Sequence, residues 1–347
     1  MEKRTAYGRR FALLAVLSLA VFLLTFAVGR YAVRVDKTAC ILLDGALRAV
    51  SRGRWGLSPF WTGAEATIVL NVRLPRILAA ALIGAALSVA GVCYQGMFRN
   101  PMVSPDLLGA STGAGFGAAL AILCAASYFL ITLSAFFFGL IAVLLAYLIS
   151  RKSRLDEALS MVLAGMMISS LFTAGTSFIK LVADASNQLP AITYWLMGSL
   201  TSVRGRDVLF AAAPILLGLV PLLLLRWRIN LLTLSDAEAR SMGVDTRRLR
   251  LIVIACATLM TAASVAISGM IGWVGLVIPH FCRILFGYDY RRLLPGCALL
   301  GASFLMLVDT LARTLTTAEV PLGILTSFVG APVFLYLILT GGKNRAD

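Results

Sequence analysis

The residues able to carry charge or hold a proton are few in this chain, and their spacing limits the chemistry open to it. Asp309 and Arg313 stand four residues apart near the end of an apolar run, and Asp106 follows Pro105 in a segment also interrupted by Pro101. Charge inside an apolar span marks an ion or proton path by default, yet neither acid falls near the middle of a span. His280 is the only histidine, which excludes a multi-histidine metal site or a histidine relay. Pro279–His280 reads as a helix kink carrying a neutral imidazole. The six cysteines, Cys40, Cys93, Cys124, Cys256, Cys282 and Cys297, contain no C-x-x-C pair and read as small core residues. No metal-ligand cluster and no nucleophile–base set is present. No G-x-x-x-x-G-K-[ST] loop occurs, so the chain does not hydrolyse nucleotide itself. If it drives transport, the energy comes from another chain.

Composition says what must position these groups. Of 347 residues, 60% are hydrophobic and only 14% charged, against ~25% charged in soluble domains. This is an all-α polytopic membrane protein. The net charge of +15 could suggest nucleic acid, but the basic clusters are separated by long uncharged spans, so positive-inside bias accounts for it better. Spans of ~20 apolar residues predict about ten helices, at 11–29, 74–97, 107–126, 128–150, 158–182, 207–225, 251–268, 272–286, 294–313 and 321–340. The whole of 1–347 forms one transmembrane domain. Residues 30–70, with an amphipathic piece at 40–50, lie over the outer surface. The first apolar run has a signal peptide as its rival reading, but it is long and lacks an A-x-A site, so it reads as an uncleaved helix. The heavier share of Lys and Arg places both termini in the cytoplasm.

Residues 73–114 organise the rest. Arg73 and Arg76 open a span in which Gly84, Ser88 and Gly91 supply small residues at three- and four-residue spacing, which lets another helix approach closely. Gln95 adds a neutral polar group, and Asn100 and Pro101 then break the helix. Irregular backbone at membrane depth needs protein or water around it, so this segment reads as the wall of a polar pathway. A second small-residue helix follows, with Gly113 and Gly117 one turn apart. In the loop 226–250, Ser235 or Asp236 reads as an N-cap with Glu238 in the first turn and Gly243 as the stop. On these residues alone the loop is either a docking helix or a solvated connection.

RLPR (73–76), GAALSVAG (84–91), RNPMVSPDLLGASTGA (99–114), YWLMGSL (194–200), NLLTLSDAEARSMGV (230–244), GWVGLVIPHFCR (272–283), DTLAR (309–313) and EVPLGILTSFVGAPVF (319–334) follow in order. Together they resemble the FecCD family of binding-protein-dependent ABC importer permeases. The resemblance implies a vitamin B12 permease-like fold in a bacterial inner membrane, surrounded by lipid. It implies a second permease copy (identical, or a different subunit), two cytoplasmic ATP-binding subunits and an external substrate-binding protein. ATP and Mg would bind the ATPase subunits, leaving this chain with no cofactor, no metal and no nucleic-acid partner. The cargo expected first is a ferric siderophore, with haem or cobalamin next. By the same resemblance Arg73, Arg76 and Arg313 match outer arginines that pair with glutamates of the binding protein. Asn230, Leu231, Leu232, Ser235, Asp236, Glu238, Ala239, Arg240 and Gly243 match the ATPase-coupling segment. Residues 151–159 match an inner gate. Gln95, Asn100, Pro101, Gly109, Gly113, Gly275 and Pro279 are expected to line or pack the pathway. An ion-coupled secondary carrier with the same spans is the alternative.

Overall fold

The computed structural model describes residues 2–29, 31, 33–51, 54, 56–57, 60–154 and 156–341. Its helices are α1 (Glu2–Ala27), α2 (Val35–Ser51), α3 (Gly63–Thr67), α4 (Leu74–Met97), α5 (Ala110–Leu123), α6 (Tyr128–Lys152), α7 (Glu157–Val182) and α8 (Gln188–Met197). They continue with α9 (Gly205–Leu224), α10 (Arg226–Ile229), α11 (Asp236–Ser241), α12 (Thr246–Ser268), α13 (Val274–Phe286), α14 (Tyr290–Thr314) and α15 (Leu322–Gly341). Among the described residues, seven helical stretches are long and apolar enough to span a membrane, and α5, α13 and α15 are shorter apolar helices. These ten correspond to the ten runs read from the sequence. The basic tail beyond Gly341 lies outside the described residues.

Burial separates the helices into a centre and a rim. The apolar window of Gly63–Met97 is 78% buried and that of α12 72% buried, against 22% for α1. The cause is the small-residue face of α4. A methyl group built on Gly84 would stand 2.2 Å from the Gly301 carbonyl oxygen in α14, and one on Gly91 would stand 1.9 Å from the Gly275 oxygen in α13. Only glycine lets these backbones touch. Apolar side chains on α1, α6, α7, α9 and α15, among them Leu17, Leu144, Met167, Leu217 and Phe328, point out of the protein. Such faces need lipid or protein cover.

Several helix boundaries differ from the sequence reading. The second span begins at Gly63 rather than 74, because Thr62 and Glu65 form a capping box and the chain continues through a π-helical turn, Ile68–Arg73, into α4. Lys37 of α2 fixes that start through a 2.8 Å ion pair to Glu65. The third span is shorter than expected. Pro105–Leu108 form a 3-10 turn, and Gly109, at φ 87°, starts α5 one residue later. Residues 246–250, expected in the loop, belong to α12, which Asp245 caps by accepting from the N–H groups of Arg247 and Arg248. Of the cysteines, Cys93, Cys282 and Cys297 are buried as expected, but Cys124 is exposed.

Candidate functional site

Three groups of residues bear on function: the arginines at one end, the break after α4, and the segment between α10 and α12.

The arginines are buried and held by internal partners. Arg73, Arg76 and Arg313 are 4%, 7% and 7% exposed, so they do not present bare cations to a partner. Arg76 Nε lies 2.8 Å from Asp309, and its Nη2 lies 2.8 Å from Glu319. Arg73 donates to the Phe26 carbonyl at 2.5 Å and to the Tyr31 carbonyl. Arg313 donates to the Thr25 carbonyl at 2.5 Å. The last carbonyls of a helix have no partner within it and attract cations. Two of the three arginines therefore close the C-terminal end of α1, which has no basic residue in its own last turn. Glu319 also accepts from the Thr201 hydroxyl at 2.6 Å. The cluster ties α1, α4, α14 and the turn before α15 together.

At the break, Gln95 packs inside as a lock. It is buried, its amide donates to the carbonyls of Val103 (3.2 Å) and Gly275 (3.3 Å), and it accepts from Arg283 at 2.5 Å. Asn100 and Pro101 are exposed, and the Asn100 side chain accepts from the Met102 N–H at 2.9 Å, forming the turn. Gly275 packs against Pro105, whose ring a methyl group would meet at 2.4 Å, and Pro279 is buried in α13. Gly113 abuts α6, where a methyl group would stand 2.6 Å from the Phe138 oxygen. Gly113→Leu should therefore push α5 off α6 and lower both the melting temperature and the yield of folded protein. Wild-type values in detergent melts would show that the contact is not tight.

Beside the break is a cavity of about 770 Å³, walled by α5, α8, the turn 270–273 and α15. Its lining is mostly apolar, with Met197, Met270, Trp273 and Phe328; Asp106, Ser111 and Thr112 are its polar edge. The Ser111 hydroxyl donates to Asp106. Sequence reasoning missed Trp273, whose φ of 69° turns the chain sharply between α12 and α13. The clustered glycines around it, Gly269, Gly272 and Gly275, are the signal that could have pointed there. At the expected gate, α6 ends at Lys152 and Asp156 caps α7, and Arg250 reaches Glu157 at 3.0 Å. Leu155, within that gate, lies outside the described residues.

The segment between α10 and α12 folds as its sequence indicates. Asn230–Thr233 form a 3-10 turn, with Leu231 and Leu232 buried. Asn230 donates to Asp289 at 3.0 Å and accepts from the Tyr290 N–H at 2.9 Å, tying the turn to the start of α14. Ser235 caps α11 in a full capping box with Glu238, and Asp236 is the first helical residue. Hydrogen bonds from the Ser235 hydroxyl and N–H, with the Arg99 charge nearby, hold the Glu238 carboxyl below its ordinary range. Ala239 is fully buried, Arg240 is exposed, and Gly243 stops the helix at φ 77°. The result is a short surface helix, anchored by one small side chain, with Glu238 turned back to its cap and Arg240 exposed.

Comparison with known proteins agrees with this architecture. Residues 16–340 match the model of the FecCD transport family. A molybdate import system permease protein of Haemophilus influenzae is 39% identical over 96% of both chains. A probable iron chelatin transport system permease protein of Helicobacter pylori is 44% identical over 78% of this chain and 82% of that one. A solved structure described as an inward-facing, metal-chelate-type ABC transporter superposes with a TM-score of 0.84 at 38% identity, covering 96% of this chain and 99% of that one. A match of this length, on the fold and motifs described above, makes the chain a permease of the FecCD transport family.

Proposed function

We propose that this chain is the membrane permease of an importer that moves a metal-bearing cargo inward, powered by ATP hydrolysis in partner subunits. The carrying observation is the segment Asn230–Gly243, a capped surface helix joined by side chains to the ends of α4 and α14. That is the form a docking element for a soluble ATPase needs. ATP and Mg belong to that partner, and this chain supplies no cofactor. A second permease copy covers the apolar face beside α15 and completes a pathway from the 770 Å³ cavity. An external binding protein delivers cargo at the end where α1 is clamped. It docks on the surface that Arg73, Arg76 and Arg313 hold together, since their guanidinium groups are engaged inside. Both termini are cytoplasmic, and the membrane is the bacterial inner membrane.

A ferric siderophore is the first cargo reading, with haem or cobalamin next. Support comes from the large, nearly uncharged cavity, which passes a bulky chelate without holding it, and from a relative named for iron chelatin. Molybdate is a second reading, favoured by the relative that matches along 96% of both chains.

Proteoliposomes containing this chain, its ATPase and its binding protein, with ATP inside, test both readings. Ferric hydroxamate siderophore, haem, cobalamin and molybdate form the panel. ATP-dependent accumulation of one of them is expected. Accumulation driven by an ion gradient without ATP would overturn the proposal in favour of a secondary carrier. Deleting Asp236–Gly243 is expected to abolish co-purification of the ATPase while leaving the chain in the membrane. A normal complex after that deletion would refute the docking role.

A further inference from the structure

The end of α4 carries a feature that the fold does not require. Phe98 is the C-cap, and the next two residues close a Schellman motif: the Arg99 N–H donates to the Gly96 carbonyl at 3.2 Å, and the Asn100 N–H donates to the Gln95 carbonyl at 3.0 Å. The residue after the cap in this motif takes left-handed backbone, and glycine usually stands there. Here it is Arg99, at φ 51°, one of three described non-glycine residues with positive φ. L residues avoid this region because Cβ crowds the backbone. A residue held there against its own preference directs attention to its side chain.

That side chain reaches across to the segment before α11. Its Nε donates to the Leu232 carbonyl at 3.3 Å, and its Nη2 donates to the Leu234 carbonyl. These carbonyls belong to the 3-10 turn and to the residue just before the Ser235 cap. The guanidinium also lies close enough to Glu238 to act on its carboxyl. On the other side, Arg99 is one turn beyond Gln95, which holds Val103 and Gly275. Residues 100–109 then run directly from Arg99 to the polar edge of the cavity.

We propose that Arg99 is a positioning residue, a strut that transmits movement of the segment 230–241 to the break 98–109 and so to the cavity wall. A guanidinium is suited to this role because its planar fork grips two carbonyls at once. When α11 moves, the two carbonyls carry the end of α4 with them, and the rigid Schellman turn passes the motion to residues 100–109. This rests on the proposed docking of an ATPase on α11.

The test uses the assembled permease–ATPase complex in proteoliposomes and needs no cargo. A fluorophore attached at Ser327→Cys, on the cavity wall, in a background where the accessible Cys40, Cys124 and Cys256 are replaced by serine, reports its ATP-dependent change in emission, and ATP hydrolysis is measured in parallel. In Arg99→Ala and Arg99→Gly the ATPase should co-purify and hydrolyse ATP, while the emission change per ATP falls about tenfold or more, as expected from losing two hydrogen bonds from a charged donor. Arg99→Lys, which keeps a cation but not the fork, should recover part of the signal. Glycine removes the backbone strain as well as the side chain. A wild-type signal in Arg99→Gly would therefore show that the backbone turn alone matters and overturn the inference. Loss of ATPase binding in Arg99→Gly would overturn it too, by making Arg99 part of the docking surface. Failure of the docking reading is separate, because it appears as an ATPase that stays bound after Asp236–Gly243 is deleted.

Discussion

Asp309→Ala should leave little folded protein. In the native chain Asp309 is 1% exposed and lies 2.8 Å from Arg76, with Arg313 Nε 3.9 Å away. Removing the acid leaves two arginines buried against one remaining carboxylate, Glu319, which sits nearer the surface. Breaking a buried pair by deleting one partner costs ~3–5 kcal/mol, because the remaining charge is desolvated without compensation. That is a large part of the ~5–15 kcal/mol by which a folded domain is stable. Folded yield in detergent and the melting temperature are the readouts. Asp309→Asn, which keeps shape and hydrogen-bonding capacity, should lie between the two. The double variant Arg76→Met with Asp309→Leu should recover only part of the loss: it removes one of the two buried cations, but Arg313 stays buried without Asp309 and Glu319 loses its Arg76 partner. A single Asp309→Ala variant melting like the native protein would mean that the cluster is solvated and contributes nothing.

Gly91→Leu should be comparably severe, for a different reason. The three atoms nearest to a methyl group on Gly91 are the O, C and Cα of Gly275, at 1.9, 2.6 and 2.7 Å. All are backbone, so no rotamer change relieves the clash and α4 must separate from α13. The cost belongs at or beyond the upper end of the ~1–3 kcal/mol typical of overpacking. Separation also pulls the Gly275 carbonyl away from Gln95, so the break after α4 loses one of its fixed points. Gly272→Ala is the matched control, because a methyl group there meets nothing within 4 Å. Equal melting temperatures for Gly91→Leu and Gly272→Ala would refute the close approach.

What the residues disclosed in advance, and what they withheld, follows from how far each signal reaches. Ser235, Glu238 and Gly243 lie within nine positions of one another, and capping is a local matter, so α11 was legible to within a residue. The same holds for the small-residue face of Gly84, Ser88 and Gly91, which announces close packing without naming its partner. The internal partners of the arginines were not legible because they are remote in the chain. Arg76 meets an aspartate 233 residues on, and Arg313 meets a carbonyl 288 residues back. Charge at the end of a span, seen without its partner, looks the same whether it faces water or closes another helix. The early start of the second span was hidden for a related reason. Its first turn is held by Thr62, Glu65 and Lys37, polar groups that a hydropathy reading assigns to a surface segment. The cavity lining was the least legible part, because it draws residues from four separate stretches of chain.

The clamp on α1 also bears on how the chain is made. Arg73 and Arg76 enter the bilayer with the second span, well before Asp309 is synthesised. A cation at the centre of an inserting helix costs ~2.5–3.5 kcal/mol; one near its end costs less, because it can reach the headgroups. Until α14 arrives, then, Arg76 lacks its aspartate, and the end of α1 is held by Arg73 without the hydrogen bond from Arg313. Arrival of α14 adds the second hold on the end of α1. A nascent chain cut short before residue 309 would keep the Arg76 cation without its aspartate and the end of α1 with one arginine instead of two. The arginine cluster thus works as a seal that closes only once synthesis has passed Glu319.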